Sequence, residues 1–296
     1  MPLRCNGKAG ESSLPLAGRW TPERVRGDGV FGGTRHAHHQ DDARPPPRYH
    51  PRMTQAPTHP PRPRLAFNHT PGIGPTIVFL PGYASDMTGT KALALEAWAG
   101  RTGRAFLRFD YGGCGASEGD FADQTLAGWR DDTLAMIDQI VAGPVVLVGS
   151  SMGGWLMLLA ARARPDRVRG LVGIAPAPDF TDWGFTLDEK MVILQQGKLE
   201  RANPYGPEPT LYTRGFFQSG EANRLMFGAI PFDGPVRLVQ GQADPDVPWH
   251  RTVHLAELIR SADVQTWLVK DGDHRLSRDT DVALIVRAVE DVLSRL

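Results

Sequence analysis

Cysteine is nearly missing from this chain: Cys5 and Cys114 are the only two in 296 residues. Neither has the C-x-x-C neighbour of a thiolate zinc site, and two such distant thiols do not make a disulfide framework, so the usage fits a reducing compartment. An excess of charge is missing too, because 33 Lys and Arg balance 33 Asp and Glu. That balance gives no electrostatic reason to expect nucleic acid or an anionic membrane as the main partner. There is no apolar stretch long enough to span a bilayer, no internal repeat, and no apolar core of a secretory signal near Met1, so stable membrane insertion is not expected.

Residues 1–63 lack any apolar period of 3.6 or 2, while prolines and arginines cluster in ARPPPRYHPR (Ala43 to Arg52) and HPPRPR (His59 to Arg64). Such a segment cannot bury enough surface to offset its ordering entropy, and a disordered extension is expected. Met53 is the expected functional start, with residues 1–52 a non-folding addition. An Arg-rich organellar transit peptide is opposed by Glu11, Glu23, Asp28, Asp41, Asp42 and the many prolines. The HAHH tract at His36 to His39 reads as solvated chain rather than a metal site. The preference for Arg over Lys, with much Ala, Gly and Pro, reads as the coding bias of a bacterial genome. A bacterial cytoplasmic location follows, or a mitochondrial one if the source is eukaryotic.

From Leu65 onward, short aliphatic runs alternate with helical periods, the pattern of an α/β fold with a mostly parallel, doubly wound sheet. The predicted strands are TIVFL (Thr76 to Leu80), AFLRFD (Ala105 to Asp110), VVLVG (Val145 to Gly149), LVGIA (Leu171 to Ala175), VRLVQG (Val236 to Gly241) and VQTWLV (Val264 to Val269). Their continuous apolarity predicts burial on both faces. One helix face is predicted through Leu126, Trp129, Met136, Ile137 and Ile140, and another through Val282, Ile285, Val286, Val289, Val292 and Leu293. One domain over 64–296 is expected. The alternation breaks at about 182–231, where Trp183, Phe185, Met191, Leu194, Tyr205, Tyr212, Phe216, Phe217 and Phe227 sit among prolines and glycines without an evident strand. A small helical cap over the C-terminal edge of the sheet is predicted, the edge at which open α/β sheets bind ligands.

The chemistry concentrates in VVLVGSSMGGW (Val145 to Trp155), a strand followed by G-x-S-x-G and a helix. Centring the motif on Ser151 puts Gly149 and Gly153 two positions either side; centring it on Ser150 would put Val148 where a glycine belongs. In a nucleophile elbow the serine occupies a strained strand-to-helix turn, and flanking glycines let the backbones pass without a Cβ clash. A serine hydroxyl also needs a base within reach and a carboxylate to orient that base. The strand VRLVQG is followed by GQADPDVPW, and VQTWLV by KDGDHR, giving the order Ser151, Asp244, His274. Asp246 is the alternative acid, with Asp244 favoured because it follows its strand more closely. Asp273 reads as solvated. His250 and His254 stand at i and i+4, but Arg251 occupies the place where a zincin needs glutamate, so a surface helix face is expected. For an oxyanion, the predicted backbone donors are the N–H of Met152, just after the serine, and the N–H of Tyr83 in the turn of LPGYASDM.

LPGYASDMTGTKA, FDYGGCGASEG, VGSSMGGW and GQADPDVPWH with KDGDHR resemble the α/β-hydrolase superfamily over Leu65 to Leu296. They are most similar to the branch holding the mitochondrial palmitoyl-protein thioesterase that also hydrolyses acyl glucuronides, and its bacterial relatives. The resemblance implies a nucleophile at Ser151, an acid at Asp244 and a base at His274. Gln240 stands where the family often carries His, a departure expected to touch none of these roles. The expected function is a serine esterase or thioesterase (carboxylesterase, EC 3.1), palmitoyl thioesterase-like in one form, acting on a small acyl ester or thioester or on an acylated protein. No metal or organic cofactor is expected. The alternatives are the same fold acting on a C–C or amide bond, or a non-catalytic binding protein.

Overall fold

The computed structural model describes residues 64–204 and 206–296. The N-terminal extension, its HAHH tract, Cys5 and Tyr205 therefore lie outside the described residues. Along the chain run β1 (Phe67–Thr70), β2 (Ile73–Leu80), α1 (Thr90–Thr102), β3 (Arg104–Phe109), α2 (Leu126–Gln139), β4 (Val145–Ser150), α3 (Met152–Ala163) and β5 (Val168–Ile174). Then come α4 (Phe180–Trp183), α5 (Leu187–Gln196), β6 (Lys198–Arg201), β7 (Thr210–Thr213), α6 (Arg214–Ala222), β8 (Val236–Gly241), α7 (Trp249–Leu258), β9 (Val264–Val269) and α8 (Asp279–Leu293).

The main sheet has the order β1-β3-β2-β4-β5-β8-β9, parallel throughout except for β1, which pairs antiparallel with β3. Alternate strand residues feed two cores. Val78, Leu80, Leu107 and Leu147 pack with Trp129, Trp155, Leu156 and Leu255 from α2, α3 and α7. Ile77, Phe79, Val146 and Val148 pack on the other face with Leu95 and Trp98 of α1 and Ile285 and Val289 of α8. This two-sided burial explains why the central strands carry aliphatic residues without alternation. Strand order reverses between β2 and β4, because β3 lies to one side of β2 and β4 to the other. The loops leaving β2 and β4 diverge there and open a crevice at the carboxyl edge of the sheet.

Three elements depart from the sequence reading. β1, FNHT, is polar and short, and it forms because its backbone pairs with the exposed flank of β3, Phe67 opposite Phe109. β9 is only half-buried, with Leu268 40% exposed, since it is the last strand of the sheet and has one neighbour. The segment between β5 and β8 is not purely helical: β6 and β7 form an antiparallel hairpin, Lys198 opposite Thr213 and Arg201 opposite Thr210. Four-residue strands with polar positions give no apolar run to read. α5 is begun by a capping box, in which Thr186 Oγ1 accepts from Glu189 N–H and the Glu189 carboxylate accepts from Thr186 N–H. Among the described residues no helix is long and apolar enough to cross a membrane.

Candidate active site

β4 ends at Ser150 and α3 begins at Met152, so Ser151 alone makes the turn between them, with φ 54° and ψ −119°. A side chain at positive φ is strained, at a typical cost of about 1–3 kcal/mol, and persists only where the surroundings enforce it. Here the enforcement is visible. Ser151 N–H donates to Ile174 O at 2.9 Å, and Ser151 O accepts from Gly154 N–H at 2.9 Å and Ala177 N–H at 3.0 Å. A Cβ on Gly149 would lie 2.3 Å from Gly153 O, and one on Gly153 would lie 2.0 Å from Leu80 O. Both glycines are therefore required by close backbone approach, and the turn aims the Ser151 hydroxyl into the crevice.

His274 Nε2 lies 3.0 Å from Ser151 Oγ, and His274 Nδ1 lies 2.8 Å from Asp244 Oδ2. The two loops that supply His274 and Asp244 are stitched together, since Ala243 N–H donates to Gly272 O at 3.0 Å. On the outer side Lys91 Nζ donates to Arg275 O at 2.5 Å and steadies the residue after His274. Burial, then the nearby Arg275 charge, push the Lys91 ammonium down to about 8, against the opposing pull of Asp273 and Asp281.

Asp244 has a fully buried carboxylate that accepts four hydrogen bonds. Oδ1 takes the N–H groups of Asp246 and Val247, both at 2.8 Å, and Oδ2 takes His274 Nδ1 and, at 2.9 Å, Gln240 Nε2. Burial alone would raise its pKa. The hydrogen bond and charge of His274 and the two backbone donors outweigh it, and the carboxyl sits below its usual value. Asp246 is exposed, and its backbone N–H serves Asp244. Asp244, the favoured of the two candidate acids, lies within hydrogen-bond distance of His274. Asp273 is exposed and accepts from Leu276 N–H at 2.9 Å. His250 and His254 are exposed on α7.

Gln240, the departure from His noted in the sequence, reaches the site from the end of β8, where its Nε2 donates to Asp244 Oδ2 at 2.9 Å. The available signal for this contact was a polar residue beside the last position of a buried strand, VRLVQG, which also buries Arg237.

Tyr83 follows Gly82 in the loop after β2, where a Cβ on Gly82 would come 3.4 Å from Ser151 Cβ. The Tyr83 ring stacks on Tyr212 at 4.8 Å and meets Phe121, Trp129, Phe180 and Phe216. Its phenol donates to Leu211 O at 2.6 Å, and burial pushes its pKa upward. Met152 is the first residue of α3, whose leading N–H groups have no intrahelical acceptor. Cys114 is buried, and that burial pushes its thiol up to about 12.

These groups open on a cavity of about 570 Å³ lined by Ser151, His274, Tyr83, Phe180, Trp183 and Tyr212 among others. Asp244, Asp246 and His274 could each offer a ligand atom to a cation, all within 4.8 Å of one another. Both His274 nitrogens are already engaged, so a metal there would break one of its two contacts.

The family model described as Hydrolase_4, serine aminopeptidase, S33, matches residues 74–196. The human mitochondrial palmitoyl-protein thioesterase ABHD10 is 40% identical over 238 residues, covering 79% of this chain and 78% of that protein. The structure of mouse α/β hydrolase domain-containing protein 10 superposes with a TM-score of 0.73 at 39% identity, covering 78% of this chain and 94% of that one. A putative hydrolase from Agrobacterium vitis S4 matches equally, with a TM-score of 0.73, 40% identity and the same coverage, 78% and 94%. The sheet order, the strained serine turn and these likenesses agree, and the chain belongs to the α/β-hydrolase superfamily, in the family of the mitochondrial palmitoyl-protein thioesterase ABHD10.

Proposed function

We propose that this protein is a serine hydrolase that cleaves carboxylic esters and thioesters of small acyl substrates through an acyl-enzyme on Ser151. The observation that carries the reading is the continuous contact Ser151 Oγ, His274, Asp244, at 3.0 Å and 2.8 Å. In the proposed mechanism His274 Nε2 takes the Ser151 proton as the hydroxyl attacks the acyl carbon. Asp244 holds the tautomer with the proton on Nδ1 and stabilises the imidazolium. The oxyanion is received by the backbone N–H groups of Tyr83 and Met152. Collapse expels the alcohol or thiol, protonated by His274; water activated by the same imidazole then releases the acid. Phe180, Trp183 and Tyr212 give the cavity an apolar wall suited to an acyl chain. The relatives named as palmitoyl-protein thioesterases support a thioester, including that of an acylated protein. A second reading, amide hydrolysis, is favoured by the description of the family model as a serine aminopeptidase.

The test is labelling by a fluorophosphonate probe, with turnover of p-nitrophenyl esters, acyl-CoA thioesters of graded chain length and aminoacyl p-nitroanilides. Labelling and ester or thioester turnover that vanish in Ser151→Ala and persist in Ser150→Ala are expected. Turnover of the anilides alone would select the amide reading. An unlabelled, inactive protein, or label retained in Ser151→Ala, would reject both.

A further inference from the structure

Gln240 is fully buried at the end of β8, and Thr252, also fully buried, faces it from α7. Thr252 Oγ1 lies 2.8 Å from Gln240 Oε1, while Gln240 Nε2 is 2.9 Å from Asp244 Oδ2, 3.1 Å from Gly241 O and 3.2 Å from Val247 O. This environment admits one orientation of the amide. Turned over, its oxygen would face three acceptor oxygens and its NH2 would lose them all; as placed, the Thr252 hydroxyl donates to the oxygen and the NH2 meets only acceptors. The consequence reaches Asp244. Its Oδ1 is held by two backbone donors of its own loop, but its Oδ2, the oxygen that faces His274, is held from outside the loop by Gln240.

We propose that Gln240, oriented by Thr252, is a positioning residue that fixes the Asp244 carboxylate against His274 and so sets the effectiveness of the proposed base. This deepens the serine hydrolase reading and rests on it. With the donor gone, Oδ2 keeps only its contact with His274 among these side chains, the carboxylate can tilt about its anchored Oδ1, and its less compensated charge makes the imidazole more basic. A hydrogen bond to a charged group of this kind typically accounts for about 10- to 100-fold in an equilibrium or rate.

The experiment compares Gln240→Leu, Gln240→Glu and Thr252→Val with the parent and Ser151→Ala. It follows kcat, KM and their pH profiles on a p-nitrophenyl ester, probe labelling rate, thermal midpoint, and the downfield proton resonance of His274 Nδ1–H. In Gln240→Leu, kcat falls by about 10- to 100-fold with KM little changed, the acid limb of kcat moves to higher pH, and the downfield resonance shifts. Gln240→Glu is the diagnostic variant. Of two adjoining buried carboxyls, one is held protonated to a higher pH by the charge of the other, so Glu keeps its proton at low pH and donates to Asp244 as the amide did. Its kcat approaches the parent's at low pH and drops along a new alkaline limb that the parent lacks. Thr252→Val, nearly isosteric, keeps the fold if Gln240→Leu does not, and lowers kcat several-fold through a freed amide. Parent-like kcat, pH profiles and Nδ1–H resonance in Gln240→Glu and Thr252→Val would overturn the proposal while Ser151→Ala remains dead. A parent that neither labels nor turns over ester would sink the hydrolase reading and the proposal with it, and the resonance would then report only a structural hydrogen bond.

Discussion

The phenol of Tyr83 donates to the backbone oxygen of Leu211 at 2.6 Å, so the loop after β2 is fastened to β7 of the hairpin above it. The same residue contributes, through its backbone N–H, one of the two proposed oxyanion donors. Its side chain therefore links order in the β6-β7 hairpin to the geometry at Ser151.

Tyr83→Phe tests this link. The ring and its stacking on Tyr212 survive, while the Leu211 oxygen loses its phenol donor. A stability loss of about 1 kcal/mol is expected from the missing bond, read by urea denaturation. The kinetic expectation is a several-fold fall in kcat with a smaller change in KM, because the donor acts on the transition state rather than on bound substrate. An unchanged kcat beside the lower stability would leave the phenol a purely structural tie.

Two glycine substitutions should act with opposite signs. Gly153→Ala puts a methyl 2.0 Å from Leu80 O, a rigid strand backbone that cannot step aside. It is expected to destabilise by at least the about 1–3 kcal/mol typical of overpacking, and to move the serine turn. Gly100→Ala places its methyl where nothing lies within 4 Å, inside α1, and should stabilise by about 0.5–1 kcal/mol through helix propensity. Thermal melts of both variants decide it; a Gly153→Ala protein as stable as the parent would contradict the close approach.

The contrast between those glycines also explains what could be read from the residues. Gly149, Ser151 and Gly153 form a motif of five positions, so the turn is legible in one short window, even though the neighbour that requires Gly153 is Leu80 of β2. The central strands are legible because burial on both faces favours near-continuous apolar runs. Asp244 and His274 were marked by their order after β8 and β9, and the fold carries both loops to Ser151. β1, β6 and β7 were not legible, because pairing with a distant strand, not side-chain pattern, makes them strands. The contact of the Tyr83 phenol was not legible for the same reason, since its partner, Leu211, lies 128 residues away, and that of Gln240 with Asp244 depends on how the loop after β8 turns back.

Asp244→Asn tests the carboxylate. On the proposed roles, the substitution favours the wrong His274 tautomer and is expected to lower kcat on the order of 10,000-fold. Its stability effect carries a pH signature. The folded carboxyl titrates below its usual value, so the unfolded chain binds the extra proton in the acid range. The stabilisation is fully present above about pH 4–5, the unfolded carboxylate range, and is lost as pH falls through the lower folded value. Denaturation of parent and Asp244→Asn between pH 3 and 7 should give stabilities that converge toward the acid end. A gap independent of pH would contradict the depressed carboxyl.

Lys91→Met tests the clamp on the His274 loop, and its sign runs the other way. Burial and the Arg275 charge hold the folded ammonium at about 8 against an ordinary 10.5, so the fold disfavours the charged form. Between those two values the unfolded chain holds more protons than the folded one, and the parent's stability rises with pH across the window. The neutral amine that remains above pH 8 still donates to Arg275 O, so deprotonation relieves the charge without releasing the loop. Methionine has neither the penalty nor the donor. The parent should therefore gain on Lys91→Met as pH goes from 7 to 10, in paired urea denaturation at each pH, while Lys91→Met at pH 7 lowers kcat by loosening the carbonyl beside His274. Parallel stability curves over that range would mean that Lys91 is solvated and titrates normally, and an unchanged kcat would mean that the loop stands without it.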